Sequence, residues 1–214
     1  MRFLRYHGRV EAAAKLLPRL RTLLKGESAV VISLPRGGVV IGDVIARRLG
    51  VPHDIVVVRK IPEQKRPEWS VGAVTEQGDA IWNPKLKSSE DPSYLRDTVE
   101  AQLHEARRRV LYFRGGRGMP AVKGKTVILV DDGVARGWTM LAAIKTVRAH
   151  GAHRIIVAVP VAARDALERI RRAADDIVID HTPRNFDIVG EYYVHFNQIT
   201  DGRVKKLLRR TRRR

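Results

Sequence analysis

A chain of 214 residues with 44% hydrophobic content is long enough to bury a sizeable core, and its composition is that of a folded globule. No apolar run approaches the ~18 residues that span a bilayer. The N-terminus MRFLRYHGRV lacks the apolar core of a secretory signal, and the absence of cysteine excludes disulfides and thiolate metal sites, so a cytoplasmic protein is expected. Lysine and arginine number 41 against 23 acidic residues, a net charge of +18, and such a surface attracts nucleotides, pyrophosphates, nucleic acid or anionic lipid.

Residues 10–24 have the spacing of an amphipathic helix, with Pro18 a break or a kink. Residues 28–34, SAVVISL, read as a buried strand that ends in the turn PRGG. A helix over 39–49 follows and is stopped by Gly50. HDIVVVRK, residues 53–60, reads as a second apolar strand. Residues 61–70 are polar and proline-bearing and read as a loop, with short strands expected at 71–75 and 80–82. From Pro92 to Phe113 the apolar positions Leu95, Val99, Leu103, Ala106, Val110 and Phe113 recur every three or four residues, the period of a long helix.

After a glycine-rich basic loop over 114–125, TVILV reads as a third strand, followed by a helix ending near Gly151. RIIVAVPVA is a further strand, residues 165–174 a helix, and DIVID a last strand. Short continuous apolar strands alternating with helices predict an α/β fold, a doubly wound and mostly parallel sheet buried on both faces. The expected organisation is one domain: a core over about 25–180, a small hood over about 181–202 joined by the N-terminal helix, and a basic tail over 203–214. That tail, RVKKLLRRTRRR, holds eight basic residues and no acidic one; it reads as a solvated, partly helical end or as a contact for nucleic acid.

Ligands of parallel sheets bind beyond the carboxyl ends of the strands, and two glycine-bearing turns stand there. In VILVDDGVARGWTM, Gly133 and Gly137 allow close backbone approach. The helix that follows offers N–H groups and a positive dipole end to a phosphate, and Thr139 adds a hydroxyl. Asp131 and Asp132 suit the neutral part of the same ligand, a sugar diol, or a hydrated divalent cation. A phosphate beside a diol describes a ribose 5-phosphate. In PRGG, Arg36, Gly37 and Gly38 form a second compact anion-binding turn, and Arg59 and Lys60 add cations on the same rim.

This constellation resembles the type I phosphoribosyltransferases, whose hallmark is a hydrophobic strand, two acidic residues and a short glycine/threonine loop. LPRGGVVIGDVIARRLG, DIVVVRK, VGAV, YFRGGR and GEYYVHFNQITD are similar to a little-characterised group within that family, over about Ser28 to Val204. The resemblance implies that Asp131 and Asp132 hold the ribose hydroxyls of phosphoribosyl pyrophosphate and act at the catalytic centre. It implies a 5-phosphate cradle from Gly133, Val134, Ala135, Arg136, Gly137, Trp138 and Thr139. Arg36, Gly37 and Gly38, helped by Arg59 or Lys60, match the pyrophosphate loop, and Mg²⁺ is the implied cofactor, held mostly through ligand and water near the two aspartates. Residues 61–70 fall where the family's mobile loop lies. Phe186, Tyr192, Tyr193 and Phe196 of the hood either stack on a nucleobase-like acceptor or pack the hood itself. Family members also often form homodimers.

Two positions depart from the pattern. Arg136 replaces a hydroxyl residue and either bonds the phosphate through its charge or points outward. Trp138 replaces a small residue and is bulky enough to narrow the pocket. These two residues divide the functional reading between a working transferase and a catalytically inactive nucleotide sensor or nucleic-acid-binding regulator.

Overall fold

The structure, a computed structural model, describes residues 5–211. Five parallel strands form the central sheet: β1 (Ala29–Ser33), β2 (His53–Ile55), β6 (Thr126–Val130), β7 (Arg154–Val161) and β8 (Asp176–His181). They lie in the order β2-β1-β6-β7-β8. Strand side chains alternate between faces, so one continuous apolar strand feeds two cores. Val31, Ile128, Val130, Ile156 and Ala158 point to one face, where they meet α1 (Arg9–Leu24) and α2 (Gly38–Leu49). Val30, Ile32, Val127, Leu129, Ile155 and Val157 point to the other, against α5 (Trp138–Ala149) and α6 (Arg164–Arg171). Each large aliphatic side chain buried in this way contributes ~1.5–3 kcal/mol.

α1 runs unbroken through Pro18, and its buried stripe Ala12, Ala13, Leu16, Leu17, Leu20 and Leu24 lies on the sheet. Packing of that stripe outweighs the backbone hydrogen bond that proline removes.

The expected second strand over 53–60 is two strands in two sheets. β2 ends at Ile55, and β3 (Val58–Pro62) pairs antiparallel with β4 (Ser70–Thr75), which pairs with β5 (Ala80–Trp82). The chain changes sheets at Val56 and Val57, both fully buried. Val56 N donates to Ser33 O at 3.2 Å, whereas Val57 N donates to the Glu76 carboxylate at 2.8 Å. A run in which every residue is apolar carries no period to mark such a switch.

The three-stranded sheet forms an arm with α3 (Pro84–Lys87) and α4 (Pro92–Arg114). Asp91 caps α4 by accepting from Ser93 N and Tyr94 N, Pro92 opens it, and Gly115 at φ 64 closes it. Within the arm, Glu76 after β4 pairs with Arg114 at the end of α4, whose side chain is 1% exposed, and Arg114 Nη1 also donates to Ile55 O of β2 at 3.5 Å, which ties the pair to the core. Desolvation pushes the Glu76 carboxyl above its ordinary range, and the charge of Arg114 pulls it back.

The residues of the hood close over the core beside α1. Tyr6 N donates to Tyr192 O and Val194 N to Tyr6 O, both at 2.8 Å, which joins the N-terminal segment to the hood. The basic end begins as a helix, α7 (Asp201–Thr211), with Val204, Leu207 and Leu208 buried against α2 and α4. Arg212, Arg213 and Arg214 of the expected tail lie outside the described residues. Among the described residues no helix is long and apolar enough to cross a membrane.

Candidate active site

A cavity of about 460 Å³ opens at the carboxyl end of the central sheet, between the core and the arm. Asp131 and Asp132, which follow β6, form its floor, and Arg36 and Gly37 of the turn after β1 form one wall. The peptide between Pro35 and Arg36 is cis. Glycine is required in this turn because the backbone presses onto the acidic pair. A Cβ on Gly37 would fall inside the Asp132 carboxylate, and one on Gly38 would lie 2.7 Å from Val130 O and 2.9 Å from Asp131 Cα.

The arm supplies the opposite wall. Arg59 and Lys60 line the cavity from β3, and Gln102 and Arg109 line it from α4. Gln102 accepts from Arg59 Nε at 2.9 Å. Arg109 pairs with Glu105 at 2.8 Å, whose carboxyl is held down to about 2 by its bonds to Arg108 and Arg109. Burial, then the charge of Arg109, pulls the Arg59 guanidinium below its ordinary value, and Arg36 acts in the same sense. This wall therefore carries crowded positive charge that a polyanion would relieve.

The two aspartates differ. Desolvation and then the charge of Asp132 push the Asp131 carboxyl well above the usual range, against an opposing pull from Lys60. Asp132 is held instead by Arg9, with Nε and Nη2 both 2.8 Å from Oδ2. Arg9 is 8% exposed, also donates to Asn197 O at 2.9 Å, and lies 4.1 Å from the Phe196 ring centroid. Tyr193 donates its hydroxyl to Asp132 O at 2.5 Å, and burial, then the Asp132 charge, keeps that phenol protonated.

The loop after β6 is divided in its roles. Val134 is buried in the core, and its N–H donates to Val161 O at 2.9 Å, so that group is committed to the sheet. Gly133 is required by packing, since a Cβ there would lie 2.6 Å from Val189 Cγ1. Gly137, at φ 84, opens α5, and Thr139 in its first turn lines the cavity. Arg136 is exposed and stacks outward on Trp69 of the segment between β3 and β4, with Cζ 3.7 Å from the ring centroid. Arg66 flanks the same ring at 4.9 Å. Ala135 lies beside Arg136, partly exposed. Trp138 is absent from the cavity lining. Its ring carries Arg169 at 5.1 Å, and Arg169 also donates to Arg136 O at 3.1 Å.

Of the four aromatic residues in the hood, three are packing residues. Phe186 stacks on Tyr192 at 5.2 Å, and Tyr192 and Tyr193 are buried in the core over α1. Phe196, 38% exposed, carries Arg9 over its ring and lies 5.1 Å from the ring of Tyr193. Residues 61–70 are a loop only over 63–69, because β3 extends through Pro62 and β4 starts at Ser70.

Sequence reasoning missed Arg9, Gln102 and Arg109. Arg9 stands in phase with Ala12, Ala13 and Leu16 on the buried stripe of α1, an unusual place for a cation. Gln102 and Arg109 are seven residues apart and so share one face of α4.

A five-stranded parallel sheet with helices on both faces, an acidic pair beyond its third strand and a C-terminal helix is the architecture of the type I phosphoribosyltransferase class. The chain belongs to the phosphoribosyl transferase domain family, whose model matches residues 3–194. It is 41% identical to the crystal structure of TT1426 from Thermus thermophilus, with a TM-score of 0.81 over 97% of this chain and 99% of that one. It is 37% identical over 210 residues to a putative phosphoribosyl transferase of Mycobacterium tuberculosis, covering 97% of this chain but 47% of the relative. The chain thus spans about half the length of that relative. A shorter likeness, 40% over 63 residues, joins it to a ribose-phosphate pyrophosphokinase of Pyrococcus furiosus. Family membership supports phosphoribosyltransferase-type chemistry.

Proposed function

We propose that the protein transfers ribose 5-phosphate from phosphoribosyl pyrophosphate to an acceptor of nucleobase type, releasing pyrophosphate. The observation that carries this reading is the cavity itself. An acidic pair fit for a sugar diol stands among cations fit for a pyrophosphate, Arg36 from the core wall and Arg59, Lys60 and Arg109 from the arm. The 5-phosphate falls to the first turn of α5, with Thr139 and the N–H groups after Val134, and the positive end of that helix favours it.

Chemically, the acceptor lone pair forms a bond to the anomeric carbon while the bond from that carbon to the pyrophosphate oxygen breaks. The departing pyrophosphate keeps the electron pair, and the acceptor proton passes to solvent or a neighbouring base. The arginine wall stabilises the charge that accumulates on the leaving group. Arg9 fixes the orientation of Asp132 and neutralises it, which leaves Asp131 as the carboxylate whose charge lacks an ion-pair partner in the described site.

Mg²⁺ fits this donor set. Among the described residues no cluster of three or more carboxylates and imidazoles could hold a metal by protein ligands alone, and Mg²⁺ is commonly bound by one or two carboxylates together with water and substrate phosphates. Asp131 and Asp132 would hold it there, and it would supply Lewis-acid stabilisation of the leaving pyrophosphate. Neither departure from the family loop obstructs the cavity, because Arg136 and Trp138 are engaged by Trp69 and Arg169 outside it. Isothermal titration with Mg²⁺ and phosphoribosyl pyrophosphate tests the proposal. Micromolar binding is expected, and no heat at millimolar ligand would sink it.

A further inference from the structure

The chain's positive charge is concentrated a second time, away from the aspartates, where α7 lies against the end of α4. A groove of about 670 Å³ runs between Leu111, Tyr112, Arg117, Lys205 and Arg209. A second depression of about 470 Å³ lies between Lys205, Lys206, Arg209 and Arg210. Lys205 and Arg209 line both, so the two adjoin as one trough, and among the described residues no acidic residue lines either part. α7 is held there by its buried face, Val204, Leu207 and Leu208, which fixes the helix that carries the cations.

Charge alone describes a solvated helix face; the aromatic residue makes this trough different. Tyr112 is 41% exposed, its ring stands edge-on to Phe113 at 5.5 Å, and Lys205 Nζ lies 4.8 Å from its centroid. Leu111 beside it is also exposed. A partly exposed ring beside several cations offers stacking for a base and neutralisation for its phosphates at one place. Duplexes hide the faces of their bases, so an open ring favours single strands.

We propose that the trough between α4 and α7 binds single-stranded nucleic acid, with Tyr112 as the stacking platform and Lys205 and Arg209 as phosphate contacts. The site is independent of the transferase reading. The test is fluorescence anisotropy of labelled oligo(dT) and oligo(U) of about twelve nucleotides, a length suited to a short trough, titrated with the full chain across a salt series. Binding is expected at low salt. Tyr112→Ala should weaken it about tenfold at unchanged salt slope, and Tyr112→Phe should restore it. The pair Lys205→Gln and Arg209→Gln should reduce the salt slope by about 1.4.

Because Tyr112 is exposed, circular dichroism and melting of its variants should match the wild type. A difference between the two oligomers reflects the ribose hydroxyl or the thymine methyl group, and binding of either supports the site. Absence of binding at low salt overturns the proposal, as does equal affinity for Tyr112→Ala. It is equally overturned if binding is lost only when Arg212, Arg213 and Arg214 are replaced by alanine, or if anionic phospholipid vesicles bind the trough and the oligonucleotides do not.

Discussion

The central sheet and the arm build the two walls of the same cavity by different means. The sheet is held by apolar burial spread over two faces and many residues, so its wall of Asp131, Asp132, Arg36 and Gly37 is fixed by backbone contact. The arm has a smaller apolar cluster of its own, centred on Ile61, Val71, Val74 and Leu95, and meets the core through Ala106 and Phe113 of α4 and through a few polar contacts. The polar contacts that cross are Arg114 with Ile55 O and Trp69 with Arg136, whereas Glu76 with Arg114 and Arg59 with Gln102 lie within the arm. On the proposed reading, the core sets where the sugar lies and the arm sets how the leaving group is gripped.

The largest effect is expected at the buried ion pair of the arm. Arg114→Met leaves the Glu76 carboxylate buried without its counter-ion, which costs about 3–5 kcal/mol in urea unfolding at alkaline pH. The folded carboxyl then titrates above its unfolded value, so the loss should shrink as pH falls through that raised value. Adding Glu76→Gln should recover much of it. If the arm's amides stay as protected from exchange as the sheet's in Arg114→Met, the contrast between the two regions is wrong.

Next comes the core wall. Gly37→Ala drives a methyl group into Asp132 and should weaken binding of Mg²⁺ with phosphoribosyl pyrophosphate at least a hundredfold, about 2.7 kcal/mol, in titration calorimetry. On the arm wall, Arg109→Gln removes one of several cations and should weaken pyrophosphate about tenfold, a single charge-assisted contact, while leaving ribose 5-phosphate unaffected.

Asp131→Asn should stabilise the fold by about 1 kcal/mol at pH 8 while losing ligand, the trade expected of a strained functional group. The raised carboxyl makes ionised Asp131 a cost above its folded pKa and neutral in both states in acid, so the gain should vanish toward pH 3. A gain that persisted in acid would point to packing instead. The smallest effect is expected from Trp69→Ala. An exposed cation–π contact is worth about 0.5–1 kcal/mol, so tryptic cleavage after Lys65 at the arm's tip should quicken only severalfold. Unchanged cleavage would show that Arg136 does not hold the tip.

Local patterning was enough to read most strands and helices of the core, because each strand is a short apolar run between turn residues. It failed at residues 53–60, where an uninterrupted apolar run hides the passage from one sheet to another. The motif aspartates and the PRGG turn were legible because their chemistry is contained in a few consecutive residues. Phe186, Tyr192 and Tyr193 were legible only as aromatic residues, since stacking on a ligand and packing in a core use the same side chains.

The sequence by itself therefore determined the class of fold, the acidic pair at a strand end and the two glycine turns, since periodicity and backbone freedom are properties of neighbouring residues. Tertiary structure alone decided that Arg9, 123 residues away, would hold Asp132, and that Gln102 and Arg109 would complete the cationic wall. It also turned Arg136 and Trp138 away from the cavity, toward Trp69 and Arg169. Such pairings depend on where distant elements pack, and no local pattern carries that information.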